Sequence, residues 1–238
     1  MGLDKILNIN KNLLKRIYTL LFLIPIYFFS IISSSYLSTA IILLTSLILS
    51  FEWFEITQED KGKKNFILSQ TFFKSLEYKN LSWLFYGFVY ITIPLIIFFK
   101  IKEIENGNYI LLWIFIIILT TDVFSYVFGQ LIKGPKIFPA LSPFKTYSGT
   151  FLGIITGSFF GIFFSLNYLY LDNKLIIIIF SILISISGLF GDLFISKIKR
   201  NFKVKDSGKI LPGHGGFLDR YDSISFGLIA LFFIQYFF

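Results

Sequence analysis

The stretch Ser196 to Ser223, SKIKRNFKVKDSGKILPGHGGFLDRYDS, concentrates most of the polar chemistry in this chain. It holds seven of the 22 basic residues, three carboxylates (Asp206, Asp219, Asp222), the single histidine His214 and four of the 17 glycines, and apolar blocks flank it on both sides. Clustered lysines and arginines bind phosphate oxygens through charge-assisted hydrogen bonds. Neighbouring carboxylates repel unless a cation lies between them. Glycines let a backbone approach a ligand closely. A loop of this composition at the mouth of a membrane protein is suited to holding phosphates and a metal ion.

Two further carboxylates lie inside apolar runs: Asp122, in Thr120-Thr121-Asp122, and Asp192, after Gly191. An ionised residue at mid-span costs about 2.5–3.5 kcal/mol on insertion scales, so both are expected to face a polar cavity or a cation. Asp219 and Asp222 are three apart at the start of the last helix and share a face. With hard oxygen donors, no cysteine and one histidine, the expected metal is Mg2+ rather than zinc. Its expected ligands are Asp192, Asp219 and Asp222, with Asp122 as a further candidate and a second cation between them. Lys199, Arg200 and Lys205 are candidates for neutralising phosphate charge. His214, between Gly213 and Gly215, is placed to approach a phosphate. Upstream, Phe138 to Gly149 reads FPALSPFKTYSG, where Pro143 and Gly149 mark a turn into a helix. Ser142, Lys145 and Thr146 there are candidates for holding phosphate oxygens.

Each feature also has a simpler reading. Asp122 can pair with a neighbouring helix. Asp219 and Asp222 can cap the last helix. Gly213, Gly215 and Gly216 can be turn residues, and Lys197, Lys199 and Arg200 a basic flank. The segment at 138–149 can be a loop with a helix cap. The combination of a lone histidine between glycines and paired carboxylates favours a site over these separate explanations.

The elements that carry these residues follow from composition. The 238 residues are 55% hydrophobic, 20% aromatic and only 15% charged, with mean hydropathy +0.74. Ordinary soluble domains carry about 25% charged residues, so this chain reads as a single integral membrane domain over 1–238. An N-terminal helical part covers 1–108, and the part bearing the motifs covers 109–238. Absence of cysteine excludes disulfides and thiolate metal sites. Spans need about 20 apolar residues. Ile17–Ser34, Leu81–Phe99, Tyr109–Phe128, Thr150–Tyr170 and Leu175–Ile195 qualify, and Leu37–Phe51 and Ser223–Phe238 are shorter candidates. The first run is longer than a signal-peptide core and is read as retained. Phe66–Phe73 is read as interfacial. The runs lack period-2 alternation, so an all-α architecture of about seven transmembrane helices is expected. With the N-terminus in the cytoplasm, 19 of the 22 basic residues fall on the cytoplasmic side; this orientation satisfies the positive-inside rule and puts the site at the cytoplasmic surface. The net charge of +8 then reflects loops near anionic headgroups and phosphorylated substrates rather than nucleic acid.

At these residues the chain resembles the phosphatidate cytidylyltransferase (CDP-diacylglycerol synthase) family. The family signature runs S-x-x-K-R, four residues, K-D, a short spacer, H-G-G, then x-x-D-R-x-D. Here it reads Ser196, Lys199, Arg200, Lys205, Asp206, His214, Gly215, Gly216, Asp219, Arg220 and Asp222. The S-P-x-K-T block and Gly191 to Phe194 are also similar, as is the pair Glu52-Trp53. The chain departs from the family at Tyr147 and Ser148, where Trp and Glu are frequent, at Ile195, where Glu is frequent, and at Tyr221. The resemblance implies transfer of a cytidylyl group from CTP to phosphatidic acid with Mg2+. Lys199, Arg200, Lys205, Asp206, His214 and Arg220 would then be catalytic, and Ser142, Lys145, Thr146, Ser196, Gly215 and Gly216 substrate-binding. It also implies a homodimer and a multi-pass place in a bacterial inner membrane. Rival readings are a CTP-dependent polyprenol kinase or an ion-coupled transporter. The transporter would place polar residues at mid-membrane in paired halves.

Overall fold

The computed structural model describes residues 24–58, 78–169, 173–208 and 215–235. His214, Lys209 and the segment Phe66–Phe73 lie outside the described residues, as do residues 17–23 of the candidate Ile17–Ser34, whose residues 24–32 are helical. The longer helices are α1 (Ser35–Gln58), α2 (Tyr78–Glu103), α3 (Gly107–Leu131), α4 (Tyr147–Tyr168), α5 (Lys174–Asn201) and α6 (Leu218–Gln235). A small antiparallel hairpin, β1 (Lys136–Phe138) and β2 (Ser142–Thr146), joins α3 to α4. Five described helices, α1 to α5, are long and apolar enough to cross a membrane. Their large exposed side chains, such as Phe85, Phe88, Phe159 and Phe163, suit a lipid environment. The protein is an all-α, multi-pass membrane protein.

Two element boundaries differ from the sequence expectation, because the polar residues that follow an apolar run continue its helix rather than end it. The short candidate Leu37–Phe51 is a 24-residue helix that continues through Glu52 to Gln58. The candidate Leu175–Ile195 continues to Asn201, so Ser196, Lys197, Lys199 and Arg200 are helical rather than part of a loop. Lys199 and Arg200 then sit in the last turn of α5, where cations favour the negative end of the helix dipole. The last helix begins at Leu218, so Asp219 and Asp222 lie at its start, as their spacing predicts.

The chain divides into two compact units. One holds the residues up to Thr92 together with Asn201–Asp219, and the other holds Ile93–Arg200 together with the residues from Arg220 on. In the first unit Trp53 of α1 is the anchor. Its indole N–H donates to the Trp83 carbonyl (2.8 Å), its ring stacks on Tyr90 (5.5 Å), and Gly87 leaves room for it. Trp83 meets Phe202 edge-on at 5.1 Å, which docks the start of the 201–208 segment.

The second unit is organised by α3 against α4. Gly149, Gly153, Gly157 and Gly161 recur every four residues along one face of α4. They meet Gly129, Ser125, Thr121 and Ile117, which recur at the same interval, in reverse order, along α3. Small residues at this spacing let two helix backbones approach closely. The Thr121 hydroxyl also reaches α5, 2.8 Å from the Ser185 hydroxyl. Gly191 of α5 lies against the Asp222 backbone of α6, where a side chain would collide with the carbonyl. These contacts fix Asp122, Asp192 and Asp222 on three neighbouring helices.

Candidate active site

In the second unit four elements contribute charged groups. The Lys145 ammonium, at the end of β2, forms an ion pair with Asp192 of α5. Asp122 and Asp222 also act electrostatically on Lys145, so one cation stands among three carboxylates. Arg220 bears on both Asp122 and Asp192, and Lys199 on Asp192. The Ser223 side chain is within hydrogen-bond reach of Asp122. Asp222 is buried, and its Oδ1 accepts the Ser223 backbone N–H at 2.7 Å. The Arg220 Nε is buried without a hydrogen-bond partner.

Burial lowers the Lys145 pKa, but Asp192 and Asp122 more than offset this, so the ammonium stands above the ordinary lysine value of 10.5. The stability contributed by a raised lysine is complete below its unfolded value and is lost only as pH rises through the folded one. Lys145 therefore stays charged throughout the neutral range.

Thr146, expected to bind substrate, has a structural task. It is buried, and its Oγ1 accepts the Gly149 N–H at 3.2 Å as the N-cap of α4. Thr146→Ala should cost about 1 kcal/mol of stability through loss of the cap, readable as a lower thermal midpoint in detergent. Ser142 pairs with Phe138 in the hairpin. Ser196 is buried within α5, and Arg200 is exposed at its end.

The first unit carries a different polar cluster. Glu52, fully buried on α1, accepts the backbone N–H groups of Phe217 and Leu218, both at 2.8 Å, and the Ser207 hydroxyl at 3.4 Å. Asp219 Oδ2 accepts the N–H groups of Ser207 (3.0 Å) and Gly216 (3.3 Å). Gly215 has φ +84°, which favours glycine, and a Cβ there would come within 3.0 Å of Asp206 and 2.8 Å of Asp219. Lys205 and Asp206 are exposed. Among the described residues no three acidic or histidine side chains stand at metal-holding spacing.

The expected residues thus fall into two groups. Asp122, Lys145, Asp192, Lys199, Arg220 and Asp222 gather in one unit, while Asp206, Gly215, Gly216 and Asp219 gather in the other. The sequence reading gave no role to Glu52, Ser207, Ser223 or the α4 glycines Gly153, Gly157 and Gly161. The period-four glycines were a legible signal for close packing. Glu52 carried only a weak one, a carboxylate in an apolar run.

Comparison with known proteins agrees with the signature. A family model described as "Cytidylyltransferase family" matches residues 65–238. A phosphatidate cytidylyltransferase of Rickettsia bellii is 31% identical over 231 residues, covering 94% of this chain and 91% of its own length. That of Rickettsia felis is 30% identical over 241 residues, covering 98% and 97%. That of Helicobacter pylori (strain J99) is 41% identical over 133 residues, covering 56% and 49%.

Proposed function

Because this chain belongs to the cytidylyltransferase family, we infer that it transfers the cytidylyl group of CTP to phosphatidic acid, giving CDP-diacylglycerol and pyrophosphate. The observation that supports this most directly is the gathering of Lys145, Lys199 and Arg220 with three aspartates in one unit of a membrane protein. A phosphate oxygen of phosphatidic acid attacks the α-phosphorus of CTP. The new P–O bond forms as the bond to the β-phosphate oxygen breaks, and pyrophosphate leaves with that electron pair. The nucleophile is already an anion, so no strong general base is needed. The work is to neutralise the triphosphate and align the attack.

In this reading Arg220, with its buried unpartnered Nε, and Lys199 hold phosphate oxygens. Lys145 balances the carboxylates and supplies further positive charge. Asp192 and Asp222, with Asp122 beside them, are the candidates to hold Mg2+, on the chemistry of their hard carboxylate oxygens; here the Lys145 ammonium stands among the three and they are not at metal-holding spacing. When bound, Mg2+ would polarise phosphoryl oxygens and offset charge on the departing pyrophosphate. A ligand role for Asp219 rests on the motif alone, while its Oδ2 holds the backbone of Ser207 and Gly216. We also propose a homodimer, an inner-membrane location and a cytoplasmic N-terminus, supported by the family resemblance and the distribution of basic residues.

The reaction is tested with purified protein in detergent, labelled CTP, phosphatidic acid and Mg2+. A CDP-lipid should appear only when all three are present. A folded preparation that forms none, yet moves a solute across liposomes, would sink the reading. Topology is tested on a background free of native cysteine. A cysteine at Lys136 should label from the cytoplasmic side and one at Lys174 from the opposite side, because the single span α4 separates them. Labelling of both from the same face would contradict this arrangement.

A further inference from the structure

We propose that Glu52 is the positioning residue for Ser207–Gly208 and Gly216–Asp219, the described ends of the polar segment, acting on cytidylyl transfer through the backbone rather than by touching substrate. The proposal rests on the reading that this segment serves that reaction. A helix begins with N–H groups that lack intrahelical acceptors, and a local Ser, Thr, Asp or Asn usually supplies one. Gly216 and Phe217, which lead into α6, have no side chain able to do so. The Glu52 carboxylate does it from α1, 165 residues away in sequence, by taking the N–H groups of Phe217 and Leu218.

The carboxylate also fits a shaped recess. A Cβ at Gly208 would stand 2.6 Å from Glu52 Oε1, and one at Gly216 would collide with Oε2. The Ser207 hydroxyl closes a further side at 3.4 Å. Tyr27 stacks on Phe217 at 6.3 Å. Asp219 then ties Ser207 and Gly216 together through Oδ2. Two carboxylates therefore hold one stretch of backbone: Glu52 fixes it to α1, and Asp219 closes it on itself. Glu52 lies upstream of residues 65–238, the region matched by the family model.

The test combines kinetics with amide hydrogen exchange, which reports the segment whether or not the enzyme turns over. Glutamine keeps the size of Glu52 but turns an N–H toward one of the two backbone donors. Glu52→Gln should speed exchange in peptides covering 207–208 and 215–219 by about tenfold or more, leaving α3 and α4 at wild-type rates. Its kcat should fall roughly 10- to 100-fold, with KM for CTP and for phosphatidic acid each within about threefold. Three results would overturn the proposal: unchanged exchange in this segment, acceleration spread equally through α3 and α4, or a raised KM for one substrate at wild-type kcat. If Glu52→Gln does not fold, Gly208→Ala, whose methyl would have atoms of the Glu52 side chain as its three nearest neighbours, should give the same local exchange pattern. Wild-type exchange in Gly208→Ala would equally overturn it.

Discussion

Asp192→Asn should lower kcat/KM for CDP-lipid formation by at least about 100-fold while the protein still inserts and folds. Asparagine preserves the size of the side chain and removes its charge. The pair with Lys145 is partly buried, and its loss leaves the ammonium to Asp122 and Asp222 alone, which shifts the charge balance of the site. Metal binding would suffer as well, since even residues supporting a ligand change affinity or activity by about 10–100-fold. Lys145→Met should reduce kcat/KM by about 10- to 150-fold, the worth of one charge-assisted hydrogen bond, here its pair with Asp192. Because Lys145 interacts with Asp122, Asp192 and Asp222 together, the double variant should be little worse than Asp192→Asn alone. Steady-state kinetics with each substrate varied separately, over a Mg2+ titration, measures all three. Turnover within threefold of wild type for Asp192→Asn would remove it from the site. Strictly additive losses would mean that Lys145 and Asp192 act independently.

Gly157→Leu should destabilise the second unit and abolish activity, although it touches no charged group. A Cβ at Gly157 would overlap the Thr121 hydroxyl and come within 3.0 Å of the Ile117 backbone carbonyl. Backbone cannot move aside as a flexible side chain can, so α3 and α4 must separate. Overpacking of this kind costs about 1–3 kcal/mol, which would lower the thermal midpoint by roughly 2–12 °C. Activity falls with it because Thr121 precedes Asp122 on α3, and α4 starts two residues after Lys145. Gly157→Ala should be intermediate. Gly227→Ala serves as the control: its nearest neighbours are methyl and methylene groups of Ile114 and Ile118 at 3.3–3.4 Å, which can yield slightly. A Gly157→Leu protein with the midpoint and turnover of the wild type would show that the two helices do not pack at this point.

The membrane class, the all-α architecture and the residue types of the polar segment were determined by the sequence alone. Composition settles the solvent, and backbone hydrogen bonding in lipid then leaves helices as the solution for runs without alternation. The signature from Ser196 to Asp222 carries its meaning in residue types at fixed spacing, which survives without coordinates. Helix ends were less legible because a charged residue in an apolar run has two outcomes. It stops a span, or it is buried against a partner elsewhere in the chain, and only the partner decides. Glu52 shows the second outcome. Its partners are the backbone N–H groups of Phe217 and Leu218, and backbone donors leave no mark in a sequence. The pairing of Lys145 with Asp192 was likewise decided by tertiary structure, because close packing of glycine faces fixes the relation of α3 to α4, and Gly191 fixes α5 against α6. Local sequence thus determines which groups are available, while helix packing determines which of them meet.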